Sequence, residues 1–121
     1  MKVVLIDDTP EIAELLTFAL RDRGFDVFAS NFTGDIINLL DEQNADALVV
    51  YCTALEMSEA IFDSVRANLA RATLPIVMVS DTPEKADADL RKRNAEHVLL
   101  IPKPFTGSQI ARALDQLLRP E

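Results

Sequence analysis

Five short apolar runs alternate with five longer segments of helical period along this 121-residue chain, and no other feature restricts the possible folds as tightly. The runs are Val3 to Ile6, Phe25 to Ala29, Ala47 to Cys52, Pro75 to Val79 and Val98 to Ile101. Strands that alternate with helices in this way form βαβ units and a parallel sheet. The first, third and fourth runs are almost wholly apolar and rich in Val and Ile, as expected of strands covered on both faces. The second alternates Phe25, Val27 and Ala29 with Asp26 and Phe28, which predicts an edge.

The intervening segments carry apolar stripes at spacings of three and four. Ile12, Leu15, Leu16, Ala19 and Leu20 mark a first helix stopped by Gly24. Ile36, Leu39 and Leu40 mark a second; Ile61, Phe62, Val65 and Leu69 mark a third. A fourth, from about Pro83 to Asn94, has only Ala86 and Leu90 as apolar residues and is expected to dock weakly. Ile110, Ala113, Leu114, Leu117 and Leu118 form the stripe of a fifth, and Thr106 with Gln109 fits a capping box at its start.

With 49% hydrophobic residues and few Gly or Pro, a chain of this length can bury a core without a metal or a disulfide. Cys52, the lone cysteine, lies in an apolar run and reads as a small core hydrophobe. A net charge of −8 argues against nucleic acid and points to proteins, cations or small cationic patches as partners. No apolar stretch approaches the ~18 residues of a membrane span, and Val3 to Ile6 is too short for a signal peptide, so a cytoplasmic location is expected.

Open parallel sheets bind ligands beyond the carboxyl ends of their strands. That rim collects Asp7 and Asp8; Tyr51, Cys52 and Thr53; Ser80 and Asp81; and Lys103 with Pro104. Asp8-Thr9-Pro10-Glu11 after the first strand recurs as Asp81-Thr82-Pro83-Glu84 after the fourth. Each repeat can also be read as helix-start chemistry, with an Asp or Thr cap and Pro in the first turn. Asp81 therefore has two readings, a cap or a pocket carboxylate.

Taken together, these residues resemble the receiver domain of two-component response regulators over essentially the whole chain. The resemblance implies a doubly wound (βα)5 α/β domain with helices on both faces and flavodoxin-like strand order 2-1-3-4-5, spanning residues 1–118, with 119–121 as a tail or linker start. Residue by residue, Asp7 and Asp8 match the acidic pair that holds Mg²⁺, Ser80 the hydroxyl residue that bonds the phosphoryl group, and Lys103, before Pro104 and Phe105, the lysine that pairs with it. Tyr51 stands where the phospho-accepting aspartate belongs, and Leu100 where the aromatic switch residue is usual. His97 reads as a loop residue rather than a substitute. Leu55, Ser58 and Glu59 replace the family's Pro and Asp-Gly beyond the acceptor.

A phenol near pKa 10 is neutral at pH 7, is then a poor metal ligand and forms no acyl phosphate. With Tyr51 in place, Lys103 is expected to satisfy much of the Asp7–Asp8 pair, and Mg²⁺ binding to be weak or lost. No cofactor is expected, and no metal unless Asp7 and Asp8 hold one. The resemblance thus implies a pseudo-receiver, not an enzyme, that binds other signalling proteins without phosphorylation. Its partner face would be helix 4, strand 5 and helix 5, or the end of helix 1. The alternative is an active receiver phosphorylated on a substitute carboxylate, Asp8 or Asp81, with slow Mg²⁺-dependent autodephosphorylation. A flavodoxin-like cofactor binder is a third reading, and a weak one, because Gly24, Gly34 and Gly107 make no phosphate-cradling loop. Arg91-Lys92-Arg93 reads as a solvated helix end favoured by the helix dipole.

Overall fold

The computed structural model describes residues 1–31 and 34–119. In chain order the elements are β1 (Lys2–Asp7), α1 (Pro10–Asp22), β2 (Asp26–Ser30), α2 (Ile36–Gln43), β3 (Ala47–Tyr51), α3 (Leu55–Ala67), a 3-10 turn (Leu69–Arg71), β4 (Ile76–Ser80), α4 (Pro83–Lys92), β5 (Val98–Pro102) and α5 (Gly107–Leu118). The strands form one parallel sheet ordered β2-β1-β3-β4-β5. Every apolar run of the sequence becomes a strand, shifted by one residue at most.

The sheet divides the interior in two. Alternate residues of the central strands face α1 and α5 on one side, where Leu16, Leu20, Ile110 and Leu114 complete a core. The other set meets α2, α3 and α4 through Ile36, Leu40, Ile61, Phe62, Val65 and Leu90. β3 and β4 are buried along their whole length, whereas Val98 to Ile101 of β5 are only half-buried. β2 is an edge, as its pattern implies, but only Phe25 and Val27 point inward and Ala29 is exposed.

Two apolar residues leave the stripes assigned to them. Ile12, Leu16 and Leu20 set the buried line of α1, and Leu15, one residue or about 100° away from Leu16, is 59% exposed. Phe18 on the same flank is 77% exposed. Leu69 is not part of α3 at all. The helix stops at Ala67, Asn68 caps the 3-10 turn by accepting from the Ala70 N–H at 3.0 Å, and Leu69 turns to solvent at 94% exposure.

Termini behave as their sequences dictate. Gly24 takes φ +92° just past α1. At α5, Thr106 Oγ1 accepts the Gln109 N–H at 3.2 Å while Gln109 Oε1 accepts the Thr106 N–H at 2.8 Å, a closed capping box. Gly107 opens that helix because a Cβ there would collide with Ala19 Cβ of α1.

α4 buries only Ala86 and Leu90, yet ion pairs fasten it to α3. Arg93 donates through Nε to Asp63 Oδ1 at 2.8 Å and through Nη2 to Asp63 Oδ2 at 3.1 Å, and it pairs with Glu59 at 3.3 Å. Arg93 therefore bridges two helices instead of ending one in solvent, which corrects the reading of Arg91-Lys92-Arg93. Reading α4 alone could not find this, because both acids lie on another helix. Pro120 and Glu121 of the expected tail lie outside the described residues.

Candidate functional site

Parallel register delivers the rim. Asp7 lies beside Tyr51, Tyr51 beside Val79, and Ser80 beside Pro102, so the carboxyl ends of β1, β3, β4 and β5 open side by side.

At the β1 corner, Asp7 Oδ1 accepts the Thr9 N–H at 2.8 Å, a turn that begins two residues before the cap of α1 and ends on it. Asp7 Oδ2 is buried with no hydrogen-bond partner among the described residues. Burial pushes the Asp7 carboxyl up to about 6, and the Asp8 charge adds to this; the Thr9 N–H and the Lys103 ammonium work the other way. Asp8 is exposed and turns toward β3. Its two oxygens accept the Thr53 N–H at 3.1 and 3.0 Å, and Oδ1 also accepts the Thr53 hydroxyl at 3.0 Å.

The β4 corner repeats this geometry with other chemistry. Ser80, buried, accepts the Thr82 N–H on its Oγ at 3.0 Å. Asp81 is not a cap: the cap position belongs to Thr82, whose side chain makes no capping bond. Asp81 instead faces the rim, where its Oδ1 accepts the Tyr51 hydroxyl at 3.0 Å and pairs with Lys103 Nζ at 3.1 Å. The expected neutralisation of Asp7 and Asp8 by Lys103 is thus corrected. Asp8 is already satisfied by Thr53, and Lys103 goes where a carboxylate and a phenol converge.

Tyr51 is 2% exposed and belongs to the core beneath the rim. Its ring meets Phe105 edge to face, with centroids 6.2 Å apart, and carries Lys103 Nζ 4.7 Å from its own centroid. Burial raises the phenol pKa, the Lys103 hydrogen bond opposes the rise, and Asp81 adds to it, so Tyr51 is a neutral donor at pH 7. The Lys103 ammonium is pushed up in turn, first by Tyr51 and then by Asp81. The Lys103–Pro104 peptide is cis.

The expected site residues do converge on this rim. Asp7, Asp8 and Thr53 make one cluster; Tyr51, Ser80, Asp81 and Lys103, followed by Pro104, make the other. Leu100 stands apart, half-buried with the α3 and α4 core. His97 is an exposed loop residue with φ +57°. In the sequence Phe105 stands out only as a follower of Lys103, because its contact with Tyr51 depends on the turn between β5 and α5.

These donors fit a magnesium ion poorly. Mg²⁺ asks for anionic or carbonyl oxygens in near-octahedral array. Asp7 Oδ2 is a lone buried candidate, both Asp8 oxygens are engaged by Thr53, and the Tyr51 hydroxyl is neutral and spent on Asp81. Among the described residues no group of three or more His, Cys, Asp or Glu side chains could hold a metal.

The fold is shared with many solved proteins. A sensor protein from Polaromonas is 19% identical, with TM-score 0.82, 97% of this chain and 94% of that chain covered. A chemotaxis response regulator of Vibrio cholerae is 21% identical, with TM-score 0.79 and coverage of 97% and 98%. The receiver domain of a sensor histidine kinase of Pseudomonas aeruginosa, with magnesium coordinated in its active-site cleft, is 19% identical, with TM-score 0.74 and coverage of 97% and 96%. No family model matches the chain. At these identities the likeness establishes the flavodoxin-like α/β receiver fold, with its strand order 2-1-3-4-5.

Proposed function

We propose that this chain is a pseudo-receiver: a receiver-type domain over residues 1–118 that has lost phosphorylation at the usual position and acts in signal transduction by binding proteins. The observation that carries the reading is the joining of Tyr51, Asp81 and Lys103 at the acceptor position. Acyl-phosphate formation needs a carboxylate that attacks phosphorus while cations neutralise the moving charge. Here the residue in place is a neutral phenol, and the lysine that would meet the phosphoryl group already has a carboxylate. The fold neighbours include sensor proteins and response regulators of two-component signalling, one with magnesium in its cleft; the donors here suit that ion less well.

Binding then becomes the main function, and two faces support it. Leu15 and Phe18 stand exposed on α1, and β5 with α4 presents a half-buried apolar surface. Among the described residues no helix is long and apolar enough to cross a membrane. A cytoplasmic place of action accords with this reading.

The test adds Mg²⁺ with acetyl phosphate, and separately Mg²⁺ with beryllium and fluoride, while recording intact mass and amide spectra. No mass gain and no shifts at the rim are expected. A stoichiometric 80 Da adduct, which is about one phosphoryl group, would overturn the reading. A second reading keeps a specific observation behind it: Asp81 is 40% exposed and paired with a lysine, as an acceptor would be. An adduct lost in Asp81→Asn would establish that reading. Tyr51→Asp is expected to restore measurable Mg²⁺ affinity only if Tyr51 is the site's sole departure.

A further inference from the structure

The two edges of the sheet are closed to different degrees. In β2 the Asp26 N–H bonds to Met1 O, so Asp26 faces β1 while Val27 and Ala29 present their backbone groups outward. That edge is blunted, because Arg21 Nη2 donates to the outward Val27 carbonyl at 3.2 Å and the Lys2–Asp26 ion pair flanks it. In β5 the His97 carbonyl accepts from Ile76 and the Lys103 N–H donates to Ser80, so odd-numbered residues face β4. Val98 and Leu100 then present N–H and C=O outward, and no group among the described residues bonds them. The strand Val98-Leu99-Leu100-Ile101 carries no charge to repel a neighbour; only Pro102 closes its end.

A groove of about 750 Å³ runs along this edge. Leu90 and Arg91 of α4, with Asn94 just past its end, form one wall, and Val98, Leu99 and Leu100 line the floor. Successive residues of β5, which point to opposite faces of the sheet, all line it, so it follows the strand's rim instead of covering one face. The helical wall is acidic where it is unpaired. Arg91 is taken by Asp87 at 2.8 Å, while Glu84 has no partner among the described residues.

We infer that the open edge of β5 binds an extended segment of a partner protein as an added strand, with apolar side chains in the groove and a Lys or Arg against Glu84. Backbone pairing supplies affinity in this mode, and alternate side chains supply selectivity. The chain's charge of −8 favours a basic segment and opposes a second copy. The inference rests on the reading of the chain as a protein-binding module and specifies the partner's chemistry.

The test titrates the ¹⁵N-labelled chain with an acetylated, amidated peptide Lys-Val-Thr-Val-Thr-Val-Lys and with versions carrying Ile, Leu or Phe at the Val positions. Saturable shifts at the Val98 and Leu100 amides and along α4 are expected, and replacing both peptide Lys with Glu should remove them. Two further peptides carry N-methyl groups on odd or on even residues. One set faces the edge and loses at least about tenfold in affinity, while the other binds like the parent. Equal affinity of the two, or shifts that avoid Val98 and Leu100 across the panel, overturns the inference. Concentration-dependent broadening of those amides without peptide would assign the edge to a second copy and overturn it too. None of these results depends on whether the rim takes a phosphoryl group, so failure here and failure of the proposed function are separately visible.

Discussion

Asp7-Asp8-Thr9-Pro10-Glu11 and Ser80-Asp81-Thr82-Pro83-Glu84 turn the same corner from strand to helix. In both, the residue at the strand end is buried and accepts an N–H two residues on; Thr occupies the cap position without a side-chain capping bond, and Pro opens the helix. The corners differ in what surrounds them. The first buries an ionisable carboxyl and gives its second acid to a neutral threonine. The second buries a hydroxyl and gives its second acid to a phenol and an ammonium. Local sequence thus determines the turn, while neighbouring strand ends determine what each carboxylate does.

The largest effect should come from removing this asymmetry. Elevation of the Asp7 carboxyl from its ordinary 3.8 to about 6 means that the folded state holds the proton more tightly than the unfolded one. Stability therefore falls as pH rises from about 4 to 6, and the full cost remains above 6. Asp7→Asn keeps an oxygen for the Thr9 N–H and drops the charge. It should stabilise the chain at pH 7 by up to about 3 kcal/mol and have no effect near pH 3.5. Urea unfolding of both proteins across that range measures the difference; a constant offset would show that ionisation of Asp7, facing Asp8 and Lys103, is not the cause. The reciprocal change, Ser80→Asp, gives the second corner the first one's burden. It should cost about 2 kcal/mol at pH 7 and introduce the same pH slope.

Partner chemistry is tested one level down. Tyr51→Phe removes the donor to Asp81 and keeps the ring against Phe105, so a loss of about 1 kcal/mol is expected. Thr53→Ala takes one hydroxyl from Asp8 but leaves the backbone N–H, and should cost about half as much. A double-mutant cycle of Tyr51→Phe with Asp81→Asn should return most of the Tyr51 loss as coupling. Pairing Tyr51→Phe with Asp8→Asn should return almost none, since Asp8 meets Tyr51 only through the backbone, its N–H donating to the Tyr51 carbonyl, which neither substitution removes. Equal couplings would erase the distinction between the corners.

How far the sequence could be read follows the same division. The five strands, the thin stripe of α4 and the capping box at Thr106 were legible because each depends on spacing within a few residues; parallel pairing followed from the alternation of strands and helices, and the strand order from the resemblance. Rim membership was legible too, since strand ends in a parallel sheet open on one side. A hydroxyl bond from Tyr51 to an Asp or Lys was legible as well, but the partner of Lys103 was not. Lys103 was expected against Asp7 and Asp8 from charge alone, but a lysine on the β5–α5 turn reaches the corner beside it, and Ser80 lies next to Pro102 while Asp7 is three strands from β5. Leu15 and Leu69 failed for a related reason. Periodicity finds an apolar stripe but not its width or its end, and those depend on what packs across from it.

The smallest effect concerns the one ion pair that separates the corners. Lys103 and Asp81 are 37% and 40% exposed, so water and salt screen them strongly, and a pair of this kind contributes from a few tenths to about 1 kcal/mol. Lys103→Met keeps the aliphatic stem over the Tyr51 ring and removes the charge. In low salt the loss should lie at the lower end of that range, and most of it should vanish in 1 M NaCl, where the screening length is about 3 Å. The matching substitution at the first corner, Thr53→Ala, removes a short bond from an uncharged donor to Asp8 and should respond to salt much less. Unfolding free energies of both variants at 0.05 and 1 M NaCl (roughly 13 and 3 Å of screening length) separate the cases. A Lys103→Met loss unchanged by salt would mean that the ammonium acts through its contact with the ring, and the second corner would then differ from the first by packing, with charge playing little part.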